Sequence, residues 1–387
     1  MITDGLAYLA LLLFVASSVV FVEHRTRAKI FSYLPSIVII YFVVMLLSTW
    51  GLWQKCEAVT QTYKSVKSAL LPAMIFLMLL LADMRQIARL GKKMLLTFVL
   101  ASVSIGIGFV VMFMLLHYYF EPDSWKAFAA LSGSWMGGTG NMVAIQGALD
   151  LPDSKMGYAL LIDSVDYAIW VMILLSLVPF AKQFNRWSQA DTAIIDEVGE
   201  KLARKNSQTE AISFPSLFFL LGCAMLVSAL STWGAGLLPT TDFLTQTTWI
   251  VIIATVAGIV MAMTPLARLP GALELGTMML YIIVALIASR ASFAELTQAP
   301  LYIAAGFLII TLHAVIMVLF AKLFKLDLFS LGIASLANIG GVASAPILAS
   351  AYSKALIPIG VLMAMLGYIV GTFGGLMVGK LLEIIVR

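Results

Sequence analysis

Two aspartates three residues apart, Asp163 and Asp166, sit inside the otherwise apolar run Met156–Pro179. On a helix the i, i+3 spacing places both carboxylates on one face. At 1.5 Å per residue they lie about 10–15 Å into the segment. A carboxylate at that depth of a membrane costs at least about 2.5–3.5 kcal/mol, so such groups usually serve a function. Carboxylate oxygens are hard ligands suited to Na+, whereas a desolvated carboxyl group suits H+. The blander alternative is a pair near the interface that touches water or a loop lysine. Asp163 and Asp166 are the candidate cation-coupling residues.

Two glycine clusters carry the second signal. Gly137-Gly138-Thr139-Gly140-Asn141 interrupts the apolar stretch Trp125–Leu149, and Asn338-Ile339-Gly340-Gly341, followed by Pro346, interrupts Leu328–Tyr352. Each glycine costs about 1 kcal/mol against alanine in a helix, so a mid-segment cluster favours a break. In hydrocarbon a break survives only where it is buried in protein or lines an aqueous cavity. The second arm of a broken helix then begins with unpaired N–H groups and partial positive charge, which suits a carboxylate ligand. Glycine lets the backbone approach that ligand closely. The candidate solute-binding residues are therefore Gly137, Gly138, Thr139, Gly140, Asn141, Asn338, Gly340, Gly341 and Ser344. Small residues also serve close helix packing. Two such clusters at matching places in the chain favour a site. His313, in the middle of an apolar run, is either a proton relay or a satisfied packing residue.

The composition says what must position these groups. Hydrophobic residues make up 61% of 387 positions and charged residues 11%, against about 25% charged in a soluble domain. Lipid must be the solvent for much of the chain. Ten apolar runs read as spans: Leu6–Val22, Leu34–Trp53, Ala69–Ala82, Leu95–Tyr118, Met156–Pro179, Phe214–Leu237, Trp249–Met263, Ala272–Ala288, Leu301–Phe320 and Leu356–Leu376. Asp4 stands where a signal peptide would be basic, and no small-x-small cleavage site follows Val22, so the first run reads as retained.

A weak internal repeat organises these runs. The stretch from Leu81 corresponds to that from Ile287, and GGTGNMVAIQGAL from Gly137 corresponds to GGVASAPILASAY from Gly340. Paired glycine-broken segments at corresponding places in two halves point to a transporter binding site. The predicted units are an N-terminal repeat 1–181, a cytoplasmic linker 182–213 and a C-terminal repeat 214–387. The positions corresponding to Asp163 and Asp166 in the second half, Leu366 and Ile369, are apolar, so a carboxylate site belongs to one half.

Charge decides whether the broken segments cross. Lys and Arg concentrate in cytoplasmic loops. With both broken segments as hairpins and the N-terminus outside, sixteen of 24 basic residues fall inside; with both crossing, ten do. The hairpin arrangement gives each half five spans, an odd number, so the second half is inverted. The fold expectation is an all-α polytopic membrane protein of two inverted repeats, each with five spans and one re-entrant Gly-tipped hairpin.

Other chemistries lack their residues. There is no HExxH or GxGD, the three histidines are dispersed, and Cys56 and Cys223 are far apart. We expect no enzyme activity, no cofactor and no transition metal. The basic residues lie in short loops, which gives no nucleic-acid signal.

At the two tips, LSGSWMGGTGNMVAI and SLANIGGVASAPILASA, the chain resembles the YjcL-type bacterial membrane proteins (domain of unknown function 819) over nearly its whole length. More distantly, Gly137-Gly138-Thr139-Gly140 resembles the tip of the sodium:glutamate symporter and 2-hydroxycarboxylate transporter families. That resemblance implies inverted repeats, re-entrant hairpins and cotransport of Na+ with small carboxylates or amino acids. It supports only positions 137–140 and 340–341, and Val342 and Ala343 depart from it. The resulting expectation is a multi-pass transporter of the bacterial inner membrane, with its N-terminus outside and its central loop cytoplasmic. It would carry a small anionic organic solute, with Na+ or H+ as coupling ion. A monovalent cation/proton antiporter is the alternative. The lipid bilayer and the solute are the expected partners, and a homodimer would suit such a scaffold.

Overall fold

A computed structural model describes residues 1–26, 31, 35–82, 84–190, 211–241, 243–293, 296–353 and 356–386. Most of the expected linker, positions 191–210, lies outside the described residues. Those described are almost entirely helical. In chain order the main helices are α1 (Gly5–Thr26), α2 (Ser36–Thr49), α3 (Glu57–Leu80), α4 (Gly91–Leu116), α5 (Ser124–Gly137), α6 (Thr139–Ala148) and α7 (Met156–Leu177). They continue with α8 (Phe214–Ala235), α9 (Gln246–Met261), α10 (Ala272–Ala288), α11 (Ala299–Phe324), α12 (Leu328–Ile339), α13 (Gly341–Tyr352) and α14 (Ile357–Val386).

Among the described residues seven helices are long and apolar enough to cross a membrane, and the chain is a polytopic helical membrane protein. Three of the ten expected spans are shorter: α2, α9 and α10 have 14, 16 and 17 residues. At 1.5 Å per residue they reach about 21–26 Å, below the roughly 30 Å of a hydrocarbon core. Turn chemistry bounds them, and α10 has the bounds of its expected run. Pro35 and Gly51 bound α2, a capping box of Thr245 and Thr248 starts α9, and Gly271 at φ 109° starts α10. In the other direction α3 begins at Glu57, twelve residues before the apolar run at Ala69. Its first half, with Glu57, Gln61, Lys64 and Lys67, is polar, so a search for apolar runs passes over it.

The helices form two groups. In one, α1, α2, α3, α8, α9 and α10 pack mainly on each other; in the other, α4, α7, α11 and α14 surround the broken pairs α5–α6 and α12–α13. Contacts between the groups are sparse, chiefly α6 against α3 and α9.

Side-chain contacts orient the broken pairs. At the end of the bundle that holds Met1, Ile2 bridges to Trp53, and the Trp53 indole donates to the Ser289 carbonyl at 3.1 Å. The ends of α5–α6 also meet here, where Glu121 pairs with Lys155. At the opposite end Arg85 donates to the Met263 carbonyl at 2.6 Å and Lys93 pairs with Asp327 at 3.0 Å. There the ends of α12–α13 meet, with the Phe329 and Tyr352 rings 5.2 Å apart. The pairs are hairpins that open at opposite ends and point their tips at one another.

Candidate functional site

The first hairpin turns at Gly137-Gly138. Gly138 has φ 91°, a conformation that a side chain at that position would strain, and its N–H donates to the Ser134 carbonyl at 2.6 Å. The second turns at Gly340-Gly341, with Gly341 at φ 58°. In each, a new helix starts at the tip, and the first N–H groups of a helix have no partner within it.

Between the two helix groups lies a cavity of about 220 Å3. Gly138, Thr139 and Gly140 of the first tip and Gly340, Gly341 and Val342 of the second line it on one side. Helix α7 adds Asp163, Ser164 and Tyr167, and α14 adds Tyr368. The other group contributes Pro35, Ile37 and Val38 by the start of α2, Met78 near the end of α3, and Leu273, Thr277, Leu280 and Tyr281 of α10. Those segments place the cavity toward the end of the bundle away from Met1.

The two aspartates take different surroundings. Asp163 reaches the cavity and accepts from the Ser134 hydroxyl at 3.2 Å and the Trp135 indole N–H at 3.0 Å. Both donors sit in the last turn of α5, so the carboxylate also anchors the first hairpin. Asp166 turns away from the cavity. It is fully buried, neither of its oxygens has a hydrogen-bond partner, and it packs on Gly306 of α11, where a methyl group would collide with Oδ2.

Four tip residues are buried in packing. Gly137 meets Gly367 and Gly371 of α14. The Asn141 amide donates to the Gly137 carbonyl at 2.8 Å and accepts from Thr372 at 2.6 Å. Asn338 repeats that pattern with different partners, donating to the Ala334 carbonyl at 2.8 Å and accepting from Ser102 of α4 at 2.7 Å. Ser344 folds back beside Gly340 and bonds with Tyr167. The nine tip candidates thus divide into five that line the cavity and four that hold the tips in place.

His313 belongs to a closed chain of hydrogen bonds. The Trp170 indole donates to Ser335 at 2.8 Å, and Ser335 in turn lies 2.8 Å from His313 Nε2. His313 Nδ1 lies 2.7 Å from Ser104, whose hydroxyl donates to the Ala101 carbonyl. The Ser335 proton therefore goes to Nε2 and the Nδ1 proton to Ser104. The chain ends at the Ala101 carbonyl, and through it His313 ties α4, α7, α11 and α12 together.

Sequence reasoning missed Ser134, Tyr167, Thr277, Tyr281 and Tyr368. Ser134 lies one turn before the first tip and Tyr167 one turn after Asp163, so helical spacing from the chosen residues would have found them. Thr277 and Tyr281 carry no local signal, because an ordinary span brings them in from the other group. No group of three or more metal-ligating side chains occurs among the described residues.

Comparison with known proteins adds two findings. The model of a family described as "Protein of unknown function (DUF819)" matches residues 10–385. The chain is also 26% identical over 331 residues to the "Uncharacterized membrane protein YjcL" of Bacillus subtilis (strain 168), covering 82% of this chain and 83% of that protein.

Proposed function

The chain belongs to the DUF819 family, and we propose that it is a secondary active transporter, not an enzyme, which moves a small anionic organic solute together with Na+. An amino acid, a carboxylate or a short peptide is the solute class. The observation that carries this reading is the convergence of two hairpin tips and Asp163 on one cavity between two loosely joined helix groups. A helix N-terminus aims unpaired N–H donors at its ligand, so two of them favour a carboxylate. Asp163 offers the hard oxygen ligand for the cation. A cavity of about 220 Å3 falls below the roughly 300–1,000 Å3 of drug-sized pockets, in keeping with a small solute.

In this reading the hairpin group moves against the other group and exposes the cavity first at one end and then at the other. Most of the described basic residues, among them Arg85, Lys93, Arg186 and Lys322, lie at the end away from Met1. In this reading that end therefore faces the cytoplasm of a bacterial inner membrane and the N-terminus lies outside. One observation favours the antiporter as a second reading: Asp166 is a buried carboxyl group with no partner, outside the solute cavity.

Thermal stability of the purified protein in Na+ against K+ or choline, then with a solute panel, tests both readings. A ligand at a hundred times its dissociation constant adds about 2.7 kcal/mol to the folded state. A Na+-specific shift that Asp163→Asn abolishes supports sodium symport. Sodium-dependent pH change in vesicles without any solute supports the antiporter.

A further inference from the structure

The charges around the cavity define the solute more narrowly, given that this cavity carries solute at all. Among the described lining residues Asp163 carries the one full charge; no Lys, Arg or His is among them. The first turns of α6 and α13 aim N–H donors at the cavity. The carboxyl ends of α5 and α12 meet them at the same tips, so each tip adds directed donors and little net charge. Three of the carbonyls at the ends of the opposing arms already have partners. Ser134 accepts from the Gly138 N–H, Gly137 from the Asn141 amide, and Leu336 from the Gly340 N–H. The first turns of α6 and α13 offer N–H donors to a ligand.

A ligand in this cavity meets donors at the tips and a carboxylate on α7. A dicarboxylate bound with one Na+ beside Asp163 leaves two uncompensated negative charges, and a monocarboxylate leaves one. A zwitterion with one Na+ leaves none. Uncompensated charge out of water is expensive, so closure of the cavity selects the neutral combination. The remaining lining is largely apolar, with Ile37, Val38, Met78, Leu280 and Val342.

We infer that the transported solute is a small zwitterion, an α-amino acid with a short apolar side chain. Its carboxylate meets the two hairpin tips and its ammonium group faces Asp163.

The test is binding to the purified full chain in Na+ buffer, read by thermal shift and calorimetry. The probes are alanine, valine, leucine and methionine, then valine without its amino group (isovalerate), valine without its carboxylate (isobutylamine), and malate. At least one of the amino acids stabilises the protein. Isovalerate, isobutylamine and malate bind at least about 30-fold more weakly, because each leaves a buried charge unpaired. Asp163→Asn, whose melting without ligand checks the fold, weakens amino-acid binding at least about 100-fold, and Asp163→Glu restores part of it. Isovalerate or malate binding as well as valine overturns the inference, as does amino-acid binding that survives Asp163→Asn. A Na+ shift with no amino-acid response also overturns it, while the transporter reading stands. Silence toward Na+ and every solute removes both.

Discussion

Helices α7 and α14 each follow a glycine-broken hairpin, yet they do opposite work. Helix α7 presents Asp163 to the cavity and holds the first hairpin through hydrogen bonds to Ser134 and Trp135. Helix α14 holds the same hairpin by close backbone contact and one hydrogen bond, from Thr372 to Asn141. Gly371 and Gly375 lie against Gly137 and Gly133 of α5, so close that a methyl group on either would sit 2.8–2.9 Å from the opposing Cα. At Leu366 and Ile369 α14 has apolar residues where the proposed repeat puts the aspartates of α7. Where α14 lies flush against α5 there is no room for a side chain, and where it reaches the cavity it presents Tyr368 and not a carboxylate. Among the described lining residues the one carboxylate thus sits on α7.

The largest effect that would break this contrast is on transport. With a solute that binds, Asp163→Asn lowers Na+-driven uptake into vesicles by at least about 100-fold, since the group left behind cannot replace a paired buried charge. Leu366→Met on α14 conserves volume, costs less than about 1.5 kcal/mol, and leaves uptake within about threefold. Equal losses in the two variants would mean that Leu366 matters to the site as much as Asp163 does.

Next comes stability. Gly371→Leu forces side-chain bulk between two touching backbones and lowers stability by about 1–3 kcal/mol or more, as overpacking does. Gly222→Ala on α8, where an added methyl group meets nothing within 4 Å, stabilises by up to about 1 kcal/mol through helix propensity. Thermal melting of both variants in the same detergent checks the pair. A Gly371→Leu protein that melts like the parent would show that α14 and α5 are not pressed together.

These features differ in how well the sequence announces them. The apolar runs and the broken segments were legible because membrane length and glycine clustering are local signals. The start of α10 at Ala272 was legible for the same reason. Asp163 and Asp166 were visible as intramembrane charges, but their separation was not: whether a carboxylate meets a cavity or Gly306 depends on where α11 lies. The same holds for Asn141 and Asn338, which look like ligand groups in sequence and prove to be braces for the tips. Backbone capping by an amide four residues on is invisible until the neighbouring hydroxyl, Thr372 or Ser102, is in place.

Those braces give a third, smaller effect. Asn141→Ala leaves the Thr372 hydroxyl and the Gly137 carbonyl without their partner, and Asn338→Ala does the same to Ser102 and Ala334. Each loss costs about 1–3 kcal/mol for the buried groups left unsatisfied. Solute affinity falls with Asn141→Ala in proportion to the loosened first tip. If either variant abolishes binding while melting normally, that asparagine touches the solute and the division between lining and bracing residues fails.

The smallest effect concerns what keeps the two helix groups in their present relation. Asp153, just beyond the first hairpin, accepts from Tyr63 at 2.6 Å and Lys67 at 3.0 Å on α3, and from Gln146 of α6 at 2.7 Å. It therefore joins the groups at the Met1 end, while the cavity lies toward the other. The opposite ion pair, Lys93 with Asp327, stays within the hairpin group, so it does not restrain the same movement. The Lys67 and Asp153 side chains are 19% and 17% exposed, and because asparagine keeps the shape and an acceptor oxygen, loss of the charge costs about 1 kcal/mol or more. Asp153→Asn should thus shift the balance between end states by about fivefold, toward opening at the Met1 end. Labelling of a Thr277→Cys reporter reads this as slower modification from the far side. An unchanged labelling rate would mean that apolar contact of α6 with α3 and α9 fixes the two groups. Asp153 would then only organise its own loop.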